Sequence, residues 1–342
     1  MSAYFIRRIL LIIPTFIGIT MLVFVITRFV PGGPIERMIQ QAQAMSGDKM
    51  SGGAGSDSTQ SSSLSPDQIK ELEKYYGFDK PIIESYFIWL WKVLKLDLGE
   101  STRYGEPVWD IIKERFPISI FYGITTIIIT YLVCIPLGIW KALKHNSIFD
   151  NISSVIVFIG YAVPGYVLGI GLIYLFASHW EIFPMGGFYS DDFEDFTLYQ
   201  KAQDIIVHAI LPLASYLAGS FATMTFLMKN SMMENLSSDY IRTAIAKGLP
   251  FKKAILRHAL RNSLIPIATS FGNILSVLIA GSFLIEKIFN IDGFGLLGYE
   301  SLIERDYPIV MGTLVISSLL YMVGNILSDF CVALVDPRVK FK

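Results

Sequence analysis

Apolar residues gather into six runs, at 9–27, 117–140, 151–178, 205–228, 262–285 and 307–328. Five contain no Asp, Glu, Lys or Arg, and 205–228 contains only His208 as a titratable group. A hydrocarbon core about 30 Å thick needs about 20 helical residues, so each run predicts a membrane-spanning helix. The first run has a basic start, Arg7-Arg8, but no small-x-small cleavage pattern before Pro31-Gly-Gly-Pro34, and it reads as a retained anchor.

Between the first two runs lies a long stretch, 28–116. Its segment 46–65 holds 8 Ser and 4 Gly in 20 residues, which predicts a disordered loop. Ser65-Pro-Asp-Gln68 is a capping box that opens a helix over 69–76, with Gly77 as its stop. The stretch 81–98, with Tyr86, Phe87, Trp89, Trp91 and Lys92, suits a helix at the outer membrane interface or one packed in a small outer subdomain. A short helix over 108–115 leads into the second run. The organisation expected is a first span (1–30), an outer region (31–116) and a five-helix core (117–342).

A second polar stretch, 229–261, separates the fourth and fifth runs. Ser238 or Asp239 can cap a helix there, Ala244 and Ala246 favour its interior, and Gly248-Leu249-Pro250 ends it. A further helix can begin near Phe251. A simple turn needs only a few residues, and the small side chains leave room for a docked partner. A basic loop that merely fixes topology is the other reading, and both stay open on local features.

Charge then orients the chain. With the N-terminus inside, the pieces 1–8, 141–150, 229–261 and 329–342 carry 14 basic against 5 acidic residues. The opposite loops, 179–204 and 286–306, carry 3 basic and 11 acidic residues. Basic loops stay cytoplasmic, so six spans with both ends inside are expected. Composition agrees: 53% of residues are apolar and mean hydropathy is +0.51. The chain reads as an all-α integral membrane protein. Net charge is −1, which leaves no basic excess for nucleic acid. Cys134 and Cys331 are too few for a disulfide framework or a metal cluster.

Chemistry of its own is scarce. There is no Gly-x-x-x-x-Gly-Lys-Ser/Thr phosphate cradle, and His145, His179, His208 and His258 have no metal-ligand spacing. Asp329 and His208 are the ionisable groups near span ends, and Asp329 is expected to pair with a basic group or reach interfacial water. The acidic loop 191–195 reads as a solvated face, and the glycine-rich 290–298 as turns capping a short re-entrant or interfacial helix. Pro136, Pro164, Gly165 and Gly169 can kink spans and free carbonyls for a neighbour, water or cargo. Asn273, Ser276, Asn325 and Ser328 can face a path or pack helices. An enzyme lacks a catalytic constellation here, and a self-sufficient carrier or channel lacks an ion relay or selectivity ring. A subunit whose motor lies elsewhere fits best.

Arg242-Thr-Ala-Ile-Ala-Lys-Gly248-Leu followed by His258-Ala-Leu-Arg-Asn262 resembles the coupling-loop signature of permease subunits in bacterial peptide-type ABC importers. Other marks run in order: Tyr75-Gly-Phe-Asp-Lys-Pro81, Asp97-Leu-Gly99, Arg103-Tyr-Gly105, Ile135-Pro-Leu-Gly138, Arg305-Asp-Tyr-Pro308 and Asp336-Pro-Arg338. The resemblance covers almost the whole chain. Gly32-Gly-Pro34, the 160–165 segment and the glycine-rich 293–298 resemble the Yej-type branch, associated with peptides and microcin C. The wider motif begins Glu-Ala-Ala, where this chain has Arg242-Thr-Ala.

The resemblance implies an inner-membrane pore made with a second homologous permease. ATPase subunits would hold the ATP and Mg beneath it, with no cofactor in this chain, and a periplasmic substrate-binding protein would deliver cargo. It implies a coupling helix over 239–247, seated on the ATPase through Asp239, Tyr240, Arg242, Thr243, Ala244, Lys247, Gly248, Leu249 and Arg257. Tyr240, Ala244 and Gly248 would make the contact, while the basic residues add charge complementarity or set topology. Pro164, Gly165, Asn273, Ser276 and Asn325 are the candidates for the translocation path. Nickel importers share this architecture, so the substrate stays open.

Overall fold

A computed structural model describes residues 2–29 and 79–335. The 46–65 loop, the 69–76 helix and the Gly32-Gly-Pro34 and Asp336-Pro-Arg338 motifs lie outside the described residues. Within them the order is α1 (Ser2–Phe29), α2 (Ile82–Leu94), α3 (Val108–Leu143), α4 (Ile148–Ala162), α5 (Gly165–Leu172), α6 (Leu198–Ser237) and α7 (Asp239–Ala246). Then come α8 (Phe251–Ala254), α9 (Leu260–Ile279), α10 (Phe283–Ile288), α11 (Phe294–Ile303) and α12 (Tyr307–Val335). The fold is all-α and membrane-embedded.

Four helices are long and apolar enough to cross a bilayer: Ile6–Arg28, Val108–Leu143, Leu198–Ser237 and Tyr307–Val335. The run 151–178, expected as one span, is a pair of helices, Ile148–Ala162 and Gly165–His179, bent by 94°. Pro164 is the cause, because it lacks an N–H and forces Val163 into extended backbone (φ −89°, ψ 119°). The second half of the pair finishes as a π-helical turn, Ile173–His179. The run 262–285 also stops early: α9 ends at Ile279, Gly281 takes φ +81°, and α10 starts a separate helix at Phe283. The described helices therefore count as four spans, or five with the bent pair as one, and six is not established. The short 108–115 helix is not separate, since α3 runs unbroken for 36 residues through the expected boundary at 116/117.

Contacts divide the chain into two compact units. One comprises Met1–Ile12, Arg115–Leu297 and Leu319–Lys342, and the other Ile13–Glu114 and Gly298–Ser318. In the second unit, α2 packs through buried Tyr86, whose hydroxyl donates to Ile17 O (3.0 Å) and whose ring meets Phe24 edge-on. Ile83, Phe87, Trp91 and Leu94 stay exposed on its other side, so α2 is packed on one face and apolar on the free one.

Two of the sequence marks meet in this unit. Buried Asp306 accepts the Ser101 hydroxyl (2.6 Å) and the Arg103 N–H (3.0 Å), while Arg103 reaches Glu300 (3.4 Å) and Glu304 (2.8 Å). Asp306 also receives the Ile309 N–H at the start of α12, where Pro308 brings no donor of its own.

The first unit is built on α6. Met224, Met228 and Met232 pack with Cys134 and Ala142 of α3, Ile241 of α7, and Ile255, Ala259 and Ile267. A second cluster gathers Tyr122, Tyr216, Ile285, Phe289 and Ile291. Small residues let helices touch: a Cβ on Gly138 would stand 2.7 Å from Met228 Cβ, and one on Gly165 only 2.6 Å from Ser215 O.

Candidate coupling site

The polar stretch after α6 folds as a helix, a sharp corner and a second helix. Ser238 sits at the N-cap with extended backbone (φ −72°, ψ 150°), but its hydroxyl donates back to Asn235 O instead of capping α7. Asp239, in the first turn, complements the helix dipole. The C-terminus closes as a Schellman motif. Gly248 N–H reaches Ile245 O (2.9 Å), Leu249 N–H reaches Ala244 O (3.1 Å), and Gly248 adopts φ +88°. Pro250 then opens α8, whose helix passes through a π turn at Ile255–Ala259, carrying Arg257 and His258, into α9.

One residue anchors α7: Ile241, 1% exposed, reaches into the methionine-rich core of α6. Tyr240 ties both neighbours, its hydroxyl donating to Asn235 Oδ1 and accepting from Asn262 Nδ2 (3.0 Å). Asp239, Arg242, Thr243, Lys247, Gly248 and Arg257 are exposed, whereas Ala244 and Leu249 are half-buried. Arg242 and Asp239 approach at 3.8 Å, with both side chains mostly in solvent. The free face of the loop also carries Ile245, Phe251 and Leu256, three exposed apolar side chains in a stretch with seven basic residues.

The path candidates fall in different places. Pro164 is exposed at the bend and Gly165 lies against α6. Ser276 is buried in the crossing of α9 and α12, donating to Gly272 O (2.7 Å) and Leu320 O (3.0 Å). A Cβ on Gly272 would overlap the Gly324 carbonyl there, so the two helices meet backbone to backbone beside this serine. Asn325 is half-buried on α12, and the Asn273 side chain lies outside what is described. Asp329 pairs with Arg8 at 2.6 Å, and His208 Nδ1 lies 2.9 Å from Asp204 O.

Residues 134–341, a segment that holds this whole loop, match the family described as "Binding-protein-dependent transport system inner membrane component". The chain belongs to this family. It is 40% identical to the peptidoglycan transport system permease protein YejB of Agrobacterium fabrum, over 100% of this chain and 99% of that one. It is 39% identical to the inner membrane ABC transporter permease protein YejB of Escherichia coli O157:H7, with both chains covered in full. Dipeptide transport system permease protein DppB of Escherichia coli K12 is 33% identical, again over the full length of both. The chain is thus a multi-pass inner-membrane permease subunit of an ATP-binding cassette importer, as its marks led one to expect.

Sequence reasoning about this permease missed a buried acid. Glu286 of α10 is 1% exposed, and the glycine-rich stretch is its cradle. Its carboxylate accepts the Leu296 N–H (2.6 Å), the Ser282 N–H (3.2 Å) and the Tyr216 hydroxyl (3.3 Å). A Cβ on Gly281 or Gly293 would collide with it. The first turn of α11 thus finds a carboxyl acceptor for its Leu296 N–H, and Phe294 N–H takes Ser119 Oγ (2.8 Å). Burial pushes the Glu286 carboxyl up to about 7, against the pull of its donors. The signal was available: a lone acid in Phe-Leu-Ile-Glu286-Lys-Ile, flanked by Gly281 and Gly293.

Proposed function

We propose that this permease forms half of a translocation pore for short peptides or peptide-like solutes, driven by ATP hydrolysed in separate subunits. The second half is a homologous permease, and a periplasmic binding protein delivers the cargo. The chain crosses the membrane six times with both termini in the cytoplasm. ATP and Mg belong to the ATPase subunits, and this chain carries no cofactor. The names of two of these relatives, which specify peptidoglycan and dipeptide transport, support the cargo class.

The observation that carries the mechanism is the seat of α7. One buried side chain, Ile241, fixes the helix to the permease, while Asp239, Arg242, Thr243 and Lys247 are exposed beside Ile245 and Phe251. An ATPase groove docked on that face moves α7 when the ATPase pair closes on ATP, and the spans follow, giving alternating access. Tyr240 and Gly248 shape the face, Ala244 and Leu249 set its edge, and Arg257 adds charge.

Gly248→Val and Ala244→Asp test it. A β-branched residue is strained at φ +88°, by about 1–3 kcal/mol, and an acid at 244 alters the docking edge. Both variants should insert at normal levels yet lose peptide uptake in cells and release the ATPase on purification. Normal uptake in both would show that α7 does not dock the ATPase.

A further inference from the structure

Three charges that reading by loops assigns to topology are buried together in the first unit. Lys141 stands near the end of α3, Asp150 in the first turn of α4 and Lys229 on α6, with exposures of 0%, 2% and 9%. Lys229 Nζ lies 2.8 Å from each carboxylate oxygen of Asp150. Lys141 Nζ donates to Asp150 O (2.8 Å), Ser153 Oγ (2.7 Å) and Ser154 Oγ (2.7 Å), and stands 3.1 Å from Asp150 Oδ1. The carboxylate also accepts the Asn146 N–H (3.1 Å), with His145 Nδ1 at 3.4 Å.

The two lysines do different work. Lys141 is solvated inside the α3–α4 hairpin, by main-chain and hydroxyl oxygens of α4. Lys229 instead joins that hairpin to another element, since α6 runs on from it for two turns and passes through Ser238 into α7. At its far end α4 meets the bend at Pro164. A buried ion pair with one ammonium on both carboxylate oxygens resists separation, because parting it leaves an uncompensated buried charge.

We propose that Lys229 and Asp150 are the positioning pair that makes the bent span move with the coupling helix. The inference rests on the reading of α7 as the ATPase contact and deepens it. Displacement of α7 drives the end of α6, the pair carries it to α4, and α4 carries it to the bend. Lys141 balances the buried charge, and reaches α6 through a cation–π contact with Phe226 (5.9 Å) rather than through an ion pair.

Two single substitutions separate these roles. Lys229→Met leaves Asp150 with Lys141 and cuts the link, whereas Lys141→Met removes the same charge and keeps it. Spin labels on Glu234→Cys (α6) and Ile152→Cys (α4), with Cys331→Ser, report the α4–α6 distance in the assembled complex. It is measured without nucleotide and with ATP and vanadate. The wild-type and Lys141→Met distances should be the same in both states. In Lys229→Met the distance should change with nucleotide, and uptake of a labelled di- to hexapeptide mixture per ATP hydrolysed should fall at least tenfold.

A wild-type distance that changes with nucleotide overturns the link, even if Lys229→Met fails to accumulate. So does an equal effect of the two substitutions, which would mark the cluster as charge balance alone. A permease that purifies with no ATPase would instead defeat the function proposed above.

Discussion

At the scale of single residues, the permease hides its charges where neighbours can complete them. Glu286 shows what that does to stability. Its folded carboxyl titrates near 7 against an ordinary 4.5, chiefly because burial disfavours the charged form. Between those values the folded state holds a proton that the unfolded chain has released. Stability from this group is therefore full below about 4.5 and is lost as pH rises through 7, a difference on the order of 3 kcal/mol. Tyr216 and, farther off, Tyr122 are the titratable groups facing it. The thermal midpoint of the purified protein should fall from pH 5 to pH 8, and Glu286→Gln should flatten part of that fall. Identical slopes in the two proteins would rule out Glu286 as the cause. Such sites escape a linear reading because Lys141, Asp150 and Lys229 look, one at a time, like ordinary loop charges.

Among the elements, the apolar runs announced most helices but not their breaks. A soluble helix betrays its ends by a change of periodicity, whereas the 151–178 run is apolar on every side and gives no such sign. Pro164 and Gly165 flagged a kink, yet the 94° turn depends on what α5 leans against. Gly165 abuts Ser215 O, and a Cβ on Gly169 would stand 2.9 Å from the Phe289 ring. Gly165→Leu should therefore push α5 from α6 and destabilise the protein by about 1–3 kcal/mol. Gly171→Leu, on the same helix with nothing within 4 Å, serves as the control. Thermal midpoints in detergent decide the matter, and equal midpoints would mean that α5 is not held there. The coupling loop was more legible, because caps and corners are written locally: Gly248 and Pro250 alone fix where α7 stops. What its sequence could not show is which face is free, since Ile241 turns inward only once α6 is in place.

For the whole molecule, the strongest statement from sequence was orientation, and it rests on charge. Fourteen basic residues fall on one set of loops and eleven acidic ones on the other, although five of the counted charges, Lys141, Asp150, Lys229, Glu286 and Asp306, are buried. Removing those five leaves twelve basic against four acidic on the first set and three basic against nine acidic on the second, so the asymmetry survives. Exposed Lys252 and Glu194 should then lie on opposite sides of the membrane. Single cysteines at the two positions, in a background with Cys331→Ser and buried Cys134 left in place, make this measurable. In intact spheroplasts, a membrane-impermeant maleimide should label Glu194→Cys at once. Lys252→Cys should react only after the cells are opened. The reverse pattern would put α7 in the periplasm, out of reach of any cytoplasmic ATPase, and the mechanism built on its exposed face would fall with it. Labelling of both sites in intact spheroplasts would mean that the chain inserts in both orientations, because the α6 span alone separates the two positions.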